Sequence, residues 1–149
     1  MEITKITNSF FETQEFGKEV AEKILKKENN SKKAKILALK GDLGSGKTTF
    51  IQGFAKGLGI EEKILSPTFV IFKKFKIKNP DFYLFYHIDC YRLKNSEDLL
   101  TLGFKDFLNN PKNIIAIEWA EKIKDILPNK KININFKMKG KDKREIKIK

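Results

Sequence analysis

Cysteine is nearly missing: Cys90 is the only one in 149 residues. One thiol excludes an internal disulfide framework and any cysteine-cluster metal site. Long apolar runs are missing too, and none approaches the roughly 20 residues a transmembrane helix needs. Residues 1–5, Met-Glu-Ile-Thr-Lys, lack the basic start and apolar stretch of a signal peptide. The expected compartment is therefore the cytoplasm, with no membrane partner. Arginine is scarce, since Arg92 and Arg144 are the only two beside a large excess of lysine. A net charge of +12 invites a nucleic-acid reading. The lysines, however, are spread along the chain among many Asn, Ile and Phe, as an A/T coding bias would also produce. Most of this charge reads as solvated surface. What is present, 40% hydrophobic and 34% charged residues, is the balance of a soluble globular chain. The length fits one domain, residues 1–149, because domains cluster around roughly 100–150 residues.

Patterning predicts alternating strands and helices. Residues 1–7 read as a short edge strand. Ser9, with Glu12 in capping-box position, opens a helix whose apolar face is Phe16, Val20 and Ile24, ending near Lys27. Ala34 to Leu39 is an apolar run suited to a buried strand. A helix with Phe50, Phe54 and Leu58 follows and stops at Gly57 and Gly59. Phe69 to Ile77 and Phe82 to Ile88 read as a hairpin around the Asn79-Pro80-Asp81 turn. Ser96 to Leu102 is a short helix, broken by Gly103. Asn113 to Ile117 is a second buried strand. Glu121 to Leu127 is a helix stopped by Pro128. Residues 131–137 and 143–148 form a closing hairpin about Gly140-Lys141-Asp142.

The sharpest signal lies between the first buried strand and its helix. Gly41-Asp42-Leu43-Gly44-Ser45-Gly46-Lys47-Thr48 matches G-x-x-x-x-G-K-[ST] without departure, in strand–loop–helix context. Glycines let backbone N–H groups turn inward around phosphate oxygens. The helix N-terminus adds positive partial charge. Lys47 reaches the β- and γ-phosphates, and the Thr48 hydroxyl is placed for Mg²⁺. Such a loop needs a carboxylate for the metal, and Glu118, directly after the apolar run 114–117, fits. Asp89 is the second candidate. Alternation puts His87 on the same face as Asp89, where the pair could hold a water or a metal, or His87 could be a packed, hydrogen-bonded histidine. Arg92 could reach a phosphate or form a salt bridge, and Cys90 reads as a small core residue. Thr68, in Ser66-Pro67-Thr68-Phe69, sits where a switch-loop threonine senses the γ-phosphate. The guanine-reading signature [NT]-K-x-D is absent, which favours adenine.

These residues together resemble one family, TsaE (YjeE). The stretch Gly41 to Phe50 resembles its phosphate loop. Ser66-Pro67-Thr68-Phe69, His87-Ile88-Asp89-Cys90-Tyr91-Arg92-Leu93 and Ile117-Glu118-Trp119-Ala120-Glu121 follow in the family's order and spacing. Glu12-Thr13 with Gly17 resembles its N-terminal helix, and Arg144-Glu145-Ile146 its closing strand. Cys90 replaces a residue that is commonly leucine. The resemblance covers essentially the whole chain. It implies a bacterial ATPase required for threonylcarbamoyladenosine in tRNA. Its partner would be a TsaB–TsaD pair that carries out the transfer, with tRNA met indirectly through that complex. It also implies nucleotide contacts at residues 41–49 and at Thr13 and Thr68. Lys47 and Thr48 would serve phosphate and magnesium, Glu118 and Asp89 the magnesium or the attacking water, with Trp119 beside the site.

The expected fold is α/β, a P-loop NTPase-like three-layer sandwich with a mixed, mainly parallel central sheet plus antiparallel hairpins. The expected activity is Mg²⁺-dependent ATP hydrolysis by a monomer, slow alone because no arginine finger is evident except Arg92. Catalysis would rest on Lys47, Glu118 and Asp89, with Thr48, Glu118 and Asp89 around the metal. The alternative is a small-molecule or nucleoside kinase, for which two arginines make a lid hard to build. A GTPase-like switch and a direct nucleic-acid binder are the further rivals.

Overall fold

The computed structural model describes residues 2–65 and 71–149. Among the described residues there are seven strands and four α-helices. β1 (Ile3–Thr7) leads to α1 (Phe10–Leu25), and β2 (Lys35–Lys40) to α2 (Lys47–Gly57). β3 (Phe72–Lys76) and β4 (Leu84–Asp89) follow, then α3 (Glu97–Leu100) and α4 (Phe104–Leu108). β5 (Asn113–Glu118), a 3-10 segment (Ala120–Ile126), β6 (Ile132–Met138) and β7 (Arg144–Ile148) complete the chain. The strands form one sheet in the order β1-β7-β6-β2-β5-β4-β3. Its centre, β6-β2-β5-β4, is parallel. β3 adds antiparallel at one edge, and β7 then β1 at the other. Five strands therefore share one direction, and the expected mixed, mainly parallel sheet with antiparallel hairpins is what forms.

The central strands are apolar on both faces because both faces are covered. All six residues of β5 are buried, as are Ile36 to Leu39 of β2. On one face Leu37, Leu39, Phe85, Ala116, Ile134 and Phe136 pack under α1 and α2 through Phe16, Phe50 and Phe54. On the other, Ile36, Ala38, Ile88 and Ile117 pack against Leu99, Phe104, Leu108 and Ile123. This makes three layers, with parallel strand ends all delivering their loops to one rim.

Helix α1 starts as its sequence indicates: Ser9 Oγ accepts from Glu12 N at 3.1 Å, while Glu12 Oε1 accepts from Asn8 N at 3.2 Å. The reciprocal bond reaches one residue further back than a standard capping box. α1 and α2 approach backbone to backbone. A Cβ on Gly53 would stand 1.8 Å from Gln14 O, and one on Gly17 2.2 Å from Phe50 O. Only glycine fits there, and the contact fixes where α2 presents its N-terminus.

Two local expectations change. α1 ends at Leu25, where Lys26 caps the last turn through its own N–H. The expected helix over Glu121–Leu127 is instead a 3-10 segment from Ala120 to Ile126, with Ile123 off helical dihedrals. The break lies at Ile123, whose φ of −126° interrupts the turn, and Trp119 enters the segment in the left-handed region at φ 58°.

Candidate active site

β2 delivers the glycine-rich loop to the rim, and α2 begins at Lys47. Gly44 and Gly46 take φ of +78° and +104°, values that exclude a side chain without strain. The loop folds on itself through Ser45 N donating to Asp42 O at 3.0 Å. Lys47 lies across its mouth. Its Nζ donates to the carbonyl oxygens of Gly41 at 2.5 Å and Asp42 at 3.0 Å. It also sits 4.4 Å from the centre of the Trp119 ring, a cation–π contact. Burial pushes the Lys47 ammonium below the usual lysine range, and the carboxylates of Glu118, Glu121, Asp89 and Asp42 pull partly back. Trp119 also takes a left-handed backbone, φ 58°, the one positive φ outside glycine among the described residues; such strain concentrates at functional sites. Tyr91 packs on the same indole at 5.1 Å.

β5 ends at Glu118, one strand over from the loop. Its carboxylate is 3% exposed and engaged at both oxygens. Thr48 Oγ1 donates to Oε1 at 2.9 Å, and His87 Nε2 lies 2.7 Å from Oε2. A carboxylate only accepts, so His87 Nε2 carries a hydrogen and donates it to Oε2; Nδ1 is the other ring nitrogen. That Nδ1 has no hydrogen-bond partner among the described residues. His87 is fully buried. Of the alternatives open in the sequence, the packed histidine is the one that forms, and its partner is Glu118 rather than Asp89. The register explains this: β4 pairs with β5 so that Asp89 stands beside Glu118 and His87 beside Ala116, all on the α2 face. The His87 ring reaches diagonally along the strand to Glu118. Asp89 Oδ1 accepts from Tyr91 N at 3.0 Å.

A cavity of about 610 Å³ opens over this arrangement, within the range of small-molecule sites. Its floor is Gly46, Lys47, Thr48 and Thr49 of the loop and α2. Asp89, Arg92, Glu118 and Trp119 line one side, and Thr13, Leu43, Gly44 and Arg144 the other. Gly41, Asp42 and Ser45, also expected as nucleotide contacts, are not among the residues lining it. Thr13 joins the wall by its methyl side: its hydroxyl is committed to Thr7 Oγ1 at 2.7 Å, and its Cγ2 would be 3.7 Å from a Cβ on Gly46. Cys90 is buried in the opposite layer, as expected. Thr68 lies outside the described residues.

Sequence reasoning missed two members of the site. One is the direct His87–Glu118 bond, which needs the β4–β5 register. The other is Arg144, whose signal was its rarity in a lysine-rich chain. The oxygen set of Thr48, Glu118 and Asp89 suits a hard divalent cation. Among the described residues no group of three or more His, Cys, Asp or Glu side chains makes a closed metal cage.

The chain is similar to known proteins of one family. The family model for "Threonylcarbamoyl adenosine biosynthesis protein TsaE" matches residues 7–146. The tRNA threonylcarbamoyladenosine biosynthesis protein TsaE of Bacillus subtilis is 42% identical over 117 residues, 78% of this chain and 70% of its own length. That of Rickettsia typhi is 39% identical over 143 residues, covering 95% of this chain and 91% of its own length. The crystal structure titled as YdiB of Bacillus subtilus superimposes with a TM-score of 0.72 at 32% identity, covering 99% of this chain and 84% of that one.

Proposed function

This chain belongs to the TsaE family of threonylcarbamoyl adenosine biosynthesis proteins, and on that premise we propose that it is a Mg²⁺-dependent ATPase. Its role lies in tRNA threonylcarbamoyladenosine biosynthesis. In the proposed role it binds a TsaB–TsaD pair and uses ATP hydrolysis to support that pair's turnover, without transferring the group itself. The observation that carries the reading is the Thr48–Glu118 hydrogen bond beside Lys47 at the start of α2. A P-loop hydroxyl held by a buried carboxylate at the end of the neighbouring parallel strand is the arrangement phosphoryl chemistry uses.

Each residue has a definable task. The amides at the start of α2 and around Gly46 point at phosphate oxygens and need no reorganisation to do so. Lys47 exchanges the carbonyls of Gly41 and Asp42 for β- and γ-phosphate oxygens, which relieves its desolvated ammonium. Thr48 and Glu118 would hold Mg²⁺, which supplies charge neutralisation on those oxygens when bound. His87 holds the Glu118 carboxylate in one orientation. Asp89, beside Glu118 in register, orients the attacking water. Arg92 is the one arginine on the same side of the cavity, so little positive charge is available for the transition state. Turnover is therefore slow until a partner completes the site. The missing guanine signature favours ATP over GTP.

The test is Mg²⁺-dependent ATP hydrolysis by this chain alone and with the TsaB–TsaD pair, with Lys47→Ala as the blank. Low activity that rises with the pair and vanishes in Lys47→Ala supports the proposal. Hydrolysis at the wild-type rate by Lys47→Ala refutes the loop assignment. Activity indifferent to the pair refutes the partner role.

A further inference from the structure

We propose that Arg144 is a positioning residue for nucleotide binding, holding the tip of the phosphate loop in its binding shape from outside; this rests on the nucleotide reading above. Of 31 lysine and arginine side chains only Arg92 and Arg144 are arginine, and both line the cavity. Lysine serves everywhere else, so these two places use what lysine lacks: a planar, five-donor fork. Arg144 opens β7, in register with Thr7 of β1 and Met138 of β6. Its Nη1 donates to the carbonyls of Gly140, Lys141 and Lys143 at 3.3, 3.2 and 3.1 Å. Its Nη2 donates to Gly44 O at 3.1 Å. One planar group thus joins the β6–β7 turn to the phosphate loop.

The loop has little other support on that side. A Cβ on Gly44 would meet nothing within 4 Å. The Gly44–Ser45 peptide is gripped at its carbonyl by Arg144 and at its N–H by Asp42 O. The Arg144 stem also passes Gly46, with Cγ and Nε 3.8 Å from where a Cβ would lie. Arg144 therefore touches both left-handed glycines of the tip. A glycine loop has the largest backbone freedom to lose, and ordering it beforehand removes that cost from binding. Both terminal nitrogens serve backbone carbonyls, and in the proposed role Arg144 acts through the loop.

The experiment is equilibrium binding of MgATP to wild type, Arg144→Ala and Arg144→Lys, with melting temperatures measured without nucleotide. The dissociation constant is expected to rise about tenfold, 1.4 kcal/mol, in Arg144→Ala. Arg144→Lys should weaken binding nearly as much, since it keeps the charge and loses the fork. Guanidinium ion at low, non-denaturing concentration should restore much of the affinity of Arg144→Ala. Wild-type affinity in Arg144→Lys would show that charge suffices and overturn the proposal. So would an Arg144→Ala affinity within twofold of wild type. A loss that tracks a collapse in melting temperature, without guanidinium rescue, would reduce Arg144 to a hairpin staple and also overturn it. A wild-type chain that binds no MgATP would instead fail the nucleotide reading itself.

Discussion

Replacing His87 with leucine tests whether the buried Glu118 carboxylate depends on the donor at its Oε2. The bond from His87 Nε2 to Glu118 Oε2 is 2.7 Å long, and both side chains are almost wholly buried. A hydrogen bond to a charged group contributes about 1.5–3 kcal/mol, and the partner left behind keeps its desolvation cost. In a chain of this size each kcal/mol shifts the melting temperature by about 2–4 °C. His87→Leu should therefore lower the midpoint by about 3–12 °C, since Oε1 still has Thr48 but Oε2 has nothing. Adding Glu118→Leu should recover most of the loss, because removing both partners of a buried polar pair is close to neutral. The double variant should be nearly as stable as the parent and inactive in MgATP hydrolysis. Chemical denaturation of the four proteins of the cycle measures the coupling, expected at about 1–3 kcal/mol. Additive losses, or a His87→Leu cost below about 0.5 kcal/mol, would refute the claim that His87 holds Glu118.

Two further outcomes follow from packing and titration. Gly53→Ala places a methyl 1.8 Å from Gln14 O; backbone must move, so a loss of at least about 1–3 kcal/mol is expected by denaturant unfolding, with weaker MgATP binding as α2 shifts. Burial raises the Cys90 thiol from 9.0 to about 12. The unfolded chain then releases this proton first, so stability falls as pH rises from about 9 toward 12. A disulfide reagent at pH 8 should label Cys90 only at the rate of unfolding, and prompt labelling of the native protein would contradict its burial.

The legible part of this molecule is the local part. The strand–loop–helix unit from Lys35 to Gly57 could be read because each residue's role is set by near neighbours: an apolar run, glycines at the turn, apolar spacing of four. The Ser9 cap and the β6–β7 hairpin were legible for the same reason. Glu118 was legible as a metal candidate because it follows the apolar run 114–117 directly. What alternation could not supply was the offset between β4 and β5, and that offset decides that His87 meets Glu118 while Asp89 stands beside it. The left-handed Trp119 and the 3-10 segment after it were illegible too, since nothing in propensity favours that backbone for an aromatic residue. Arg144 stayed hidden because its partners are 100 residues away in Gly44 and within its own turn.

The pairing of β1 with β7 and of β2 with β5 and β6 has a consequence for synthesis. Every hydrogen-bonded neighbour of the strand that carries the phosphate loop is translated after it. During elongation α1 and α2 can interlock early, but β2 waits for residues 114–118 and 132–135. β1 waits for residues 144–148. Contacts of such long sequence separation are slow to close, and until they do the apolar β2 and β5 present unpaired edges. Ribosome-bound chains thus pass through a stage in which the loop is written but not yet built. The wall that Arg144 gives the cavity is added only once β7 has been made and paired, so nucleotide competence follows that pairing.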